Sequence, residues 1–407
     1  MAEQTTTTTP PSPSSDKNSK KKVRLGIMST AAVTRHILGV IAALNNNSQN
    51  DDSSRHDAFV TVAAVSSRDA VKASEFAAKH NIPRSYGSHE ELLADPDVDA
   101  VYITMPNHVH SEWIIRSIAA GKHVLCEKPM VLSSEEAARV HEAHSHYCAL
   151  HGRTLIVMEA VMSLYTPQTR QLENLLSSGS LGQLQYLRGS FQYNMTRNSF
   201  RSSSTKEGGG SLWDVGCYPI YLARYLLKQE PVSCSGTAVW SSDDHETNYD
   251  ATFSGTLTFP GGVALHIDSS LVTPFGTASF ELHGTKGSAI LSNPFKPSSS
   301  ADGIVVNVVD QETGKLSTTF LSSSPTAAAL STTTLDATNP YHGELRRFCD
   351  LVVMVSSNSS TEEVVVCSTN PQFALGQAQC MEALLQSARS GNTVALSGGF
   401  EGSSSKL

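Results

Sequence analysis

Several absences bound the problem before any motif is read. No apolar run in the 407 residues approaches the roughly 20 needed to cross a bilayer, and the longest candidates are broken by polar residues, so no membrane partner is expected. A basic excess is missing too: 30 Lys and Arg stand against 38 Asp and Glu, a net charge of -8. That removes the electrostatic reason to bind nucleic acid or an acidic membrane surface. Seven cysteines (Cys126, Cys148, Cys217, Cys234, Cys349, Cys367 and Cys380) are scattered without a C-x-x-C pair. With no apolar signal-peptide core at the start, neither a zinc ribbon nor a secreted disulfide framework is implied, and a reducing compartment is expected. What remains is an ordinary globular composition, 39% hydrophobic and 17% charged, long enough for about two to three units. A small molecule is the default ligand.

The ends read differently from the body. Residues 1–22 are Thr/Ser/Pro-rich, close on a lysine run, and are expected to be a disordered tail. Residues 396–407 form a second tail whose final Ser405-Lys406-Leu407 is the tripeptide read by peroxisomal import receptors; the expected partner is that receptor and the expected location the peroxisome, with the cytoplasm as alternative.

From Val23 to about residue 158, short continuous apolar runs alternate with helical periodicity: VRLGIM, a helix to about Leu44, FVTVAAV, a helix through Phe76, VDAVYIT, a helix from His110, HVLCEK and a helix from Ser133. Strands buried on both faces and joined by helices predict a doubly wound parallel sheet of Rossmann type. Asn45 to Asp57 reads as a surface insertion. In such a sheet the first strand-to-helix turn holds a dinucleotide's pyrophosphate on free helix amides. Here it reads Gly26-Ile27-Met28-Ser29-Thr30-Ala31, so Gly26, Met28, Ser29, Thr30 and Ala31 are cofactor-binding candidates, although only the first glycine and the closing small residue of G-x-G-x-x-[GA] survive. After the second strand, Ser67 and Arg68 stand where an NAD-preferring site carries an acidic residue. A guanidinium suits a 2′-phosphate, so NADP is expected over NAD.

At later strand exits lie Thr104, Pro106, Asn107 and His110, then Glu127-Lys128-Pro129; both are candidate cofactor contacts. Combined with G-G-G-S-L-W-D-V-G-C-Y-P from Gly208, these motifs resemble the family of glucose–fructose oxidoreductase, inositol dehydrogenase and rhizopine-catabolism proteins over roughly Val23 to Leu291. The branch most resembled is that of dimeric dihydrodiol dehydrogenase and NADP-dependent D-xylose dehydrogenase, which share the I-M-S-T turn, E-K-P, M-E-A (Met158 to Ala160) and D-x-G-x-Y. The resemblance implies a second domain, assigned to 159–395, that is an α/β unit with a large, open, mostly antiparallel sheet, and it implies a homodimer. It also implies that Lys128 is the catalytic lysine and that Tyr218 holds the acid/base position.

Strand-like stretches agree with that second domain: LQYLRGSFQYN, VSCSGTAVW, ATFSGTLTF, GVALHIDSS and TASFELHG, interrupted by one helix from Trp213 to Leu227. On that helix Asp214 and Tyr218 lie at i and i+4, which places them on one face, while Gly208-Gly209-Gly210 offers a backbone able to pass close to a ligand. Oxidising an alcohol needs a group to take the hydroxyl proton as hydride leaves carbon. Tyr218 is assigned that proton, Lys128 the electrostatic and anchoring role, and Asp214 orientation, with the Lys128 and Tyr218 roles interchangeable. A lysine beside an oxidised nicotinamide in a dry cleft is expected to have a lowered pKa.

Arg188, Arg197, Asn198 and Arg201 are further candidates for substrate hydroxyls or the cofactor phosphate, or are rim charges. The His-rich stretch His141, His144, His146, Cys148 and His151 is expected to be a solvated helix end, with no metal. Ser298 to Thr338 reads as a variable excursion, and Gln372 to Arg389 as a helix packing back on the body. One departure from the branch matters: Met162 and Leu164 replace its Trp and Arg after M-E-A, which puts an assignment to xylose or a dihydrodiol in doubt. The expected activity is NADP-linked oxidation of a sugar or cyclic diol. The alternatives are a non-catalytic dinucleotide-binding regulator and an enzyme that recycles a tightly bound dinucleotide.

Overall fold

A computed structural model describes residues 22–47, 60–195, 200–242, 248–297, 302–322, 339–356 and 369–396. The proposed tails, most of the insertion after the first helix, Arg197, Asn198 and Cys367 lie outside the described residues.

The first half builds β1 (Val23–Met28), α1 (Thr34–Asn47), β2 (Val60–Ser66), α2 (Ala70–His80), β3 (Ser85–Tyr86), α3 (His89–Ala94), β4 (Ala100–Ile103), α4 (His110–Ala119), β5 (His123–Glu127), α5 (Ser134–His151) and β6 (Val157–Ala160). The six strands form one sheet, ordered β3-β2-β1-β4-β5-β6, with every pair parallel. That is the doubly wound order, and its reversal point lies between β1 and β4. The helices start where caps allow: Asp69 accepts the amides of Val71 and Lys72 ahead of α2, and Ser133 accepts that of Glu136 ahead of α5. Gly152, at φ 57°, ends α5 in a left-handed conformation.

The second half follows with α6 (Pro167–Ser177), β7 (Leu184–Asn194), α7 (Cys217–Leu227), β8 (Ser233–Trp240), β9 (Asp250–Thr258), β10 (Ala264–Ser270), β11 (Val272–Gly284), β12 (Gly287–Ser292), β13 (Gly303–Val309), β14 (Leu316–Ser322), α8 (Pro340–Ser356), α9 (Pro371–Ser390) and β15 (Val394–Ala395). Its nine strands run β14-β13-β12-β11-β7-β10-β9-β8-β15, antiparallel except for the β7–β10 pair at the centre. Leu187, Gly189 and Leu265 point to the inner face, where Gly189 lets Pro219 of α7 approach; Tyr186, Arg188, His266, Asp268 and Val239 face outward and are exposed.

Three expectations need correction. The segment from Ser298 to Thr338 contains β13 and β14, which extend the sheet; polar LSTTFLS suits an exposed edge strand. The helix expected from Trp213 to Leu227 is present, but its opening turn, Leu212–Gly216, is a π-turn rather than α-helix, and α7 continues from it at Cys217. The division at residue 159 is not clean either, because α8 returns to the first domain. Its Leu345, Phe348, Cys349, Leu351 and Val352 are buried in one cluster with Val23, Leu25, Ile37, Tyr102 and Leu125. Burying such side chains stabilises by about 1.5–3 kcal/mol each.

Candidate active site

The carboxyl ends of β1, β4, β5 and β6 meet the inner face of the large sheet, and the candidate site lies between them. At the end of β1 the chain turns at Ser29, whose φ of 124° is unusual for a residue with a side chain. The turn is held by the Ser29 amide donating to Ser66 O (3.1 Å) and the Ala31 amide donating to Ser29 Oγ (3.1 Å). The amides of Thr30 and Ala32 have no acceptor among the described residues, and α1 begins only at Thr34. Donors free at a strand-to-helix turn fit the diphosphate of a dinucleotide. Beyond β2, Ser67 Oγ is taken by the Asp69 amide (3.2 Å), while Arg68 is exposed and makes no ion pair among the described residues, a fit to a 2′-phosphate.

Other cofactor candidates take structural places. Gly26 sits within β1, two residues before its end, where an added Cβ would meet Leu92 Cδ2 at 2.8 Å; its bareness serves the packing of α3. The Met28 side chain is fully buried, and only its carbonyl, accepting from Thr104 N and Oγ1, is near the turn. Thr104 is itself buried by that contact, whereas Pro106 is exposed. His110 is fully buried with Nδ1 2.8 Å from Pro129 O and Nε2 2.7 Å from Met105 O. It ties the exits of β4 and β5 together and has no surface for a cofactor. Asn107 bridges the two halves, donating from Nδ2 to Gly208 O (3.4 Å). The triple glycine likewise approaches protein rather than ligand: a Cβ on Gly209 would lie 1.9 Å from Ser203 O, and one on Gly210 2.0 Å from Asp250 Oδ1.

The Lys128–Pro129 peptide is cis. On either side of it, Tyr102 OH donates to Glu127 Oε1, and buried Glu159 accepts from Met130 N (2.7 Å) and Tyr221 OH (2.5 Å). Lys128, 13% exposed, is thereby delivered to Asp214, 11% exposed: Nζ donates to the Asp214 carbonyl at 2.5 Å and lies 3.5 Å from its Oδ1. Tyr193 of β7 donates its hydroxyl to Asp214 Oδ2 (2.5 Å), and Arg201 Nε pairs with the same oxygen at 2.9 Å. Asp214 is a hub for two cations and a phenol, and the π-turn is what aims it. Tyr218 meets this hub with its ring: Lys128 Nζ is 4.8 Å from the ring centroid, and the hydroxyl lies 3.7 Å from Met162 Sδ. Asp214 and Tyr218 thus both face Lys128, by different chemistry from that of a shared helical face.

Without the nicotinamide, the electrostatics at Lys128 run opposite to those expected beside it. Burial works to lower the Lys128 pKa, but Cys217 and the Asp214 carboxylate outweigh it, and the ammonium is held above the ordinary lysine value. The Cys217 thiol is itself pushed up to about 12 by burial, so at neutral pH it is uncharged and Asp214 is the operative partner. Asp214 is held low: burial opposes ionisation, but Lys128 and Arg201 prevail. Lys128 is therefore a charged donor in the protein without cofactor.

Sequence reasoning missed Tyr193, Lys296, His36, Tyr341 and Glu344. His36 and Tyr341 stack at 4.6 Å beside the β1–α1 turn, and Glu344, fully buried, has neither carboxylate oxygen hydrogen-bonded among the described residues. Only Tyr193 carried a signal, standing on the same strand face as Leu187 and Gly189 at the strand's end. Of the His-rich stretch, His144 Nε2 is 2.8 Å from Leu155 O, and among the described residues no three His, Cys, Asp or Glu side chains are grouped to hold a metal. A cavity of about 320 Å³ beside Pro96, Lys122 and Arg153 opens at the amino ends of the strands, away from Lys128.

A Rossmann sheet with free turn amides and a shielded lysine–carboxylate–tyrosine cluster at the carboxyl end of β5 define a dinucleotide-dependent oxidoreductase. Comparison with known proteins agrees. A model described as an oxidoreductase family with an NAD-binding Rossmann fold matches residues 37–155, and one for the GFO/IDH/MocA C-terminal domain matches 169–290. The chain is 36% identical over 278 residues to an uncharacterized oxidoreductase, ORF334, of Rhizobium meliloti, covering 68% of this chain and 76% of that one. It is 33% identical over 276 residues to human trans-1,2-dihydrobenzene-1,2-diol dehydrogenase (67% and 75% covered), and 35% over 250 residues to D-xylose 1-dehydrogenase (NADP(+)) 2 of Haloferax volcanii (61% and 70%). KijD10, a 3-ketoreductase from Actinomadura kijaniata, shares the fold at a TM-score of 0.70 and 24% identity, with 90% of this chain and 98% of that one covered. The chain belongs to the Gfo/Idh/MocA family of oxidoreductases.

Proposed function

We propose that the protein is an NADP-dependent dehydrogenase that oxidises a hydroxyl of a sugar or cyclic diol. The observation that carries this reading is the Lys128 ammonium fixed on Asp214 at the carboxyl end of β5, across from the free amides of the β1–α1 turn. Arg68 supports NADP over NAD, as does the cofactor in the name of the Haloferax volcanii relative. The names of the dihydrodiol and D-xylose relatives support the substrate class.

When bound, the nicotinamide takes up the hydride. The protein's own residues then have separable roles. Lys128 donates to the substrate oxygen, and its charge favours the alkoxide that develops as the proton leaves. Asp214 holds the ammonium in place. Tyr218, whose ring lies against Lys128 and whose phenol burial keeps protonated, is the proton-transferring group in this reading: it gives its proton to the substrate oxygen in the reductive direction and, as the phenolate beside the Lys128 ammonium, takes that proton back in oxidation. A second reading gives the proton to Tyr193, because this residue is half-buried and its hydroxyl is hydrogen-bonded to Asp214, whereas that of Tyr218 is turned onto Met162.

Two further parts of the proposal concern assembly and address. The exposed outer face of the large sheet supports a homodimer, measurable by sedimentation. Ser405-Lys406-Leu407 supports peroxisomal import, measurable by import of the full chain against one lacking these residues.

The test is absorbance at the reduced-nicotinamide band with NADP or NAD and a panel of pentoses, hexoses, inositols and cyclic diols. Lys128→Met should abolish reduction while NADP still binds. Tyr218→Phe and Tyr193→Phe separate the two proton assignments, since loss of the transferring group costs about 10²–10⁴-fold in rate. Dinucleotide binding without reduction of any panel member would refute the dehydrogenase and favour a regulator or an internally recycling enzyme.

A further inference from the structure

The charges around the site do not balance. Lys128 and Arg201 share the carboxylate of Asp214. Glu127, the other acid at hand, is bound by Tyr102, and burial raises its pKa towards the neutral form. A third cation, Lys296, comes from the turn after β12, on a rigid mount. Asn293 adopts φ 51°, its amide donates to Ala278 O (3.0 Å), and its Nδ2 donates to Lys296 O (2.7 Å). Phe295, fully buried, packs on Tyr218 and Phe191, with ring centroids 5.5 and 5.4 Å away, and so anchors the turn against the ring that lies beneath Lys128.

Lys296 is exposed and has no ion pair among the described residues. Desolvation, and then the like charge of Lys128, push its pKa down, with Asp214, Arg201 and Glu127 also within electrostatic reach; His36 at the start of α1 is depressed by burial first, then by Arg35 and Lys296. A lysine held by a fixed turn, next in the chain to the Phe295 that packs on Tyr218, adds to the charge of Lys128 and Arg201 and leaves a positive surplus.

We infer that Lys296 forms a subsite for an anionic group of the substrate, so that the preferred substrate is an acidic sugar: a polyol ring or chain bearing one carboxylate or phosphate. This deepens the function proposed above and rests on it for the identity of the pocket. Carboxylate and phosphate offer Lys296 the same chemistry, as does the diphosphate of the cofactor, and the experiment separates the three sources.

Binding of glucose, glucuronate and glucose 6-phosphate to the NADP-loaded protein is measured calorimetrically, alongside NADP affinity and turnover, for the native chain and for Lys296→Met and Lys296→Glu. The expected result is tighter binding of glucuronate or glucose 6-phosphate than of glucose by about ten-fold or more, lost in Lys296→Met and reversed in Lys296→Glu, with NADP affinity unchanged. Which of the two acidic probes binds tighter assigns the carboxylate or the phosphate. Equal binding of all three probes by the native chain, no binding of either acidic probe, or a loss confined to NADP affinity in Lys296→Met would each overturn the inference. Tight binding of an acidic probe without turnover would leave the subsite standing and refute the dehydrogenase reading alone.

Discussion

Replacing Asp214 by Asn tests the central electrostatic argument. The amide keeps the shape of the hub and the acceptor for Tyr193, and Lys128 keeps its bond to the backbone carbonyl of residue 214, but the charge 3.5 Å from Nζ is gone. With an effective dielectric of about 20 for such a site, that pair favours the charged ammonium by about 5 kcal/mol, so removing the charge lowers the Lys128 pKa. Competitive labelling with acetic anhydride across a pH series, read by mass spectrometry of the Lys128 peptide, reports the free amine directly and needs no substrate. The labelling midpoint should move to lower pH, and the alkaline limb of kcat/KM should move with it. Stability should change in the same sense: a lysine with a raised folded pKa stabilises below its unfolded value, and that contribution is lost as pH rises through the folded one. The Asp214 contribution, from a depressed pKa, is instead lost as pH falls. The variant should forfeit the plateau between them, by about 3–5 kcal/mol. A folded variant with an unmoved labelling midpoint would refute the claim that Asp214 sets the charge of Lys128.

Arg68→Asp should weaken NADP binding by about 10- to 100-fold with little effect on NAD, read from the two dissociation constants; an equal loss for both would remove the 2′-phosphate role. Asp250 is fully buried and its carboxyl is pushed up to about 7 by desolvation, so its contribution to stability is full in acid and falls as pH rises through 7. Asp250→Asn retains an acceptor for Leu212 N and Ser211 Oγ and should flatten the melting temperature between pH 5 and 8, whereas an unchanged slope would locate that dependence elsewhere. Arg224 has no exposed side-chain surface and bonds Glu230, Gln377 and Phe373 O; Arg224→Ala should cost about 3–5 kcal/mol in denaturant unfolding. Gly209→Ala, which forces a Cβ onto Ser203 O, should cost about 1–3 kcal/mol and leave NADP affinity intact; a selective loss of affinity would return the glycines to the ligand.

What the sequence disclosed followed from periodicity. VRLGIM and HVLCE are apolar on both sides because the six-stranded sheet is covered on both faces, and that continuity is local. LQYLRGSFQYN alternates because one face of the larger sheet is packed and the other open, and its bounds match β7. The failures have equally physical origins. A π-turn inserts one residue per turn, which no 3.6-residue pattern reveals, so Asp214 and Tyr218 were placed by helical spacing rather than by their separate partners. β14 reads as a linker because an exposed edge strand need not be apolar. α8 starts in PYHGE, whose polar residues hide the apolar face that follows from Leu345. Lys128 was legible from its motif, but its raised pKa was not, because Asp214 and Cys217, which outweigh its burial, meet it only through tertiary contact.

The return of α8 to the nucleotide-binding sheet also bears on how the molecule is made. As the chain leaves the ribosome, β1 to β6 emerge first, yet the helix that seals Val23, Leu25, Ile37 and Tyr102 from water follows only after the whole second sheet. The first lobe must wait with an apolar face uncovered, in a state open to chaperones and to aggregation. A fragment ending before residue 339 should therefore be poorly soluble although it contains every strand of the Rossmann sheet. Adding α8 back as a separate peptide should rescue it.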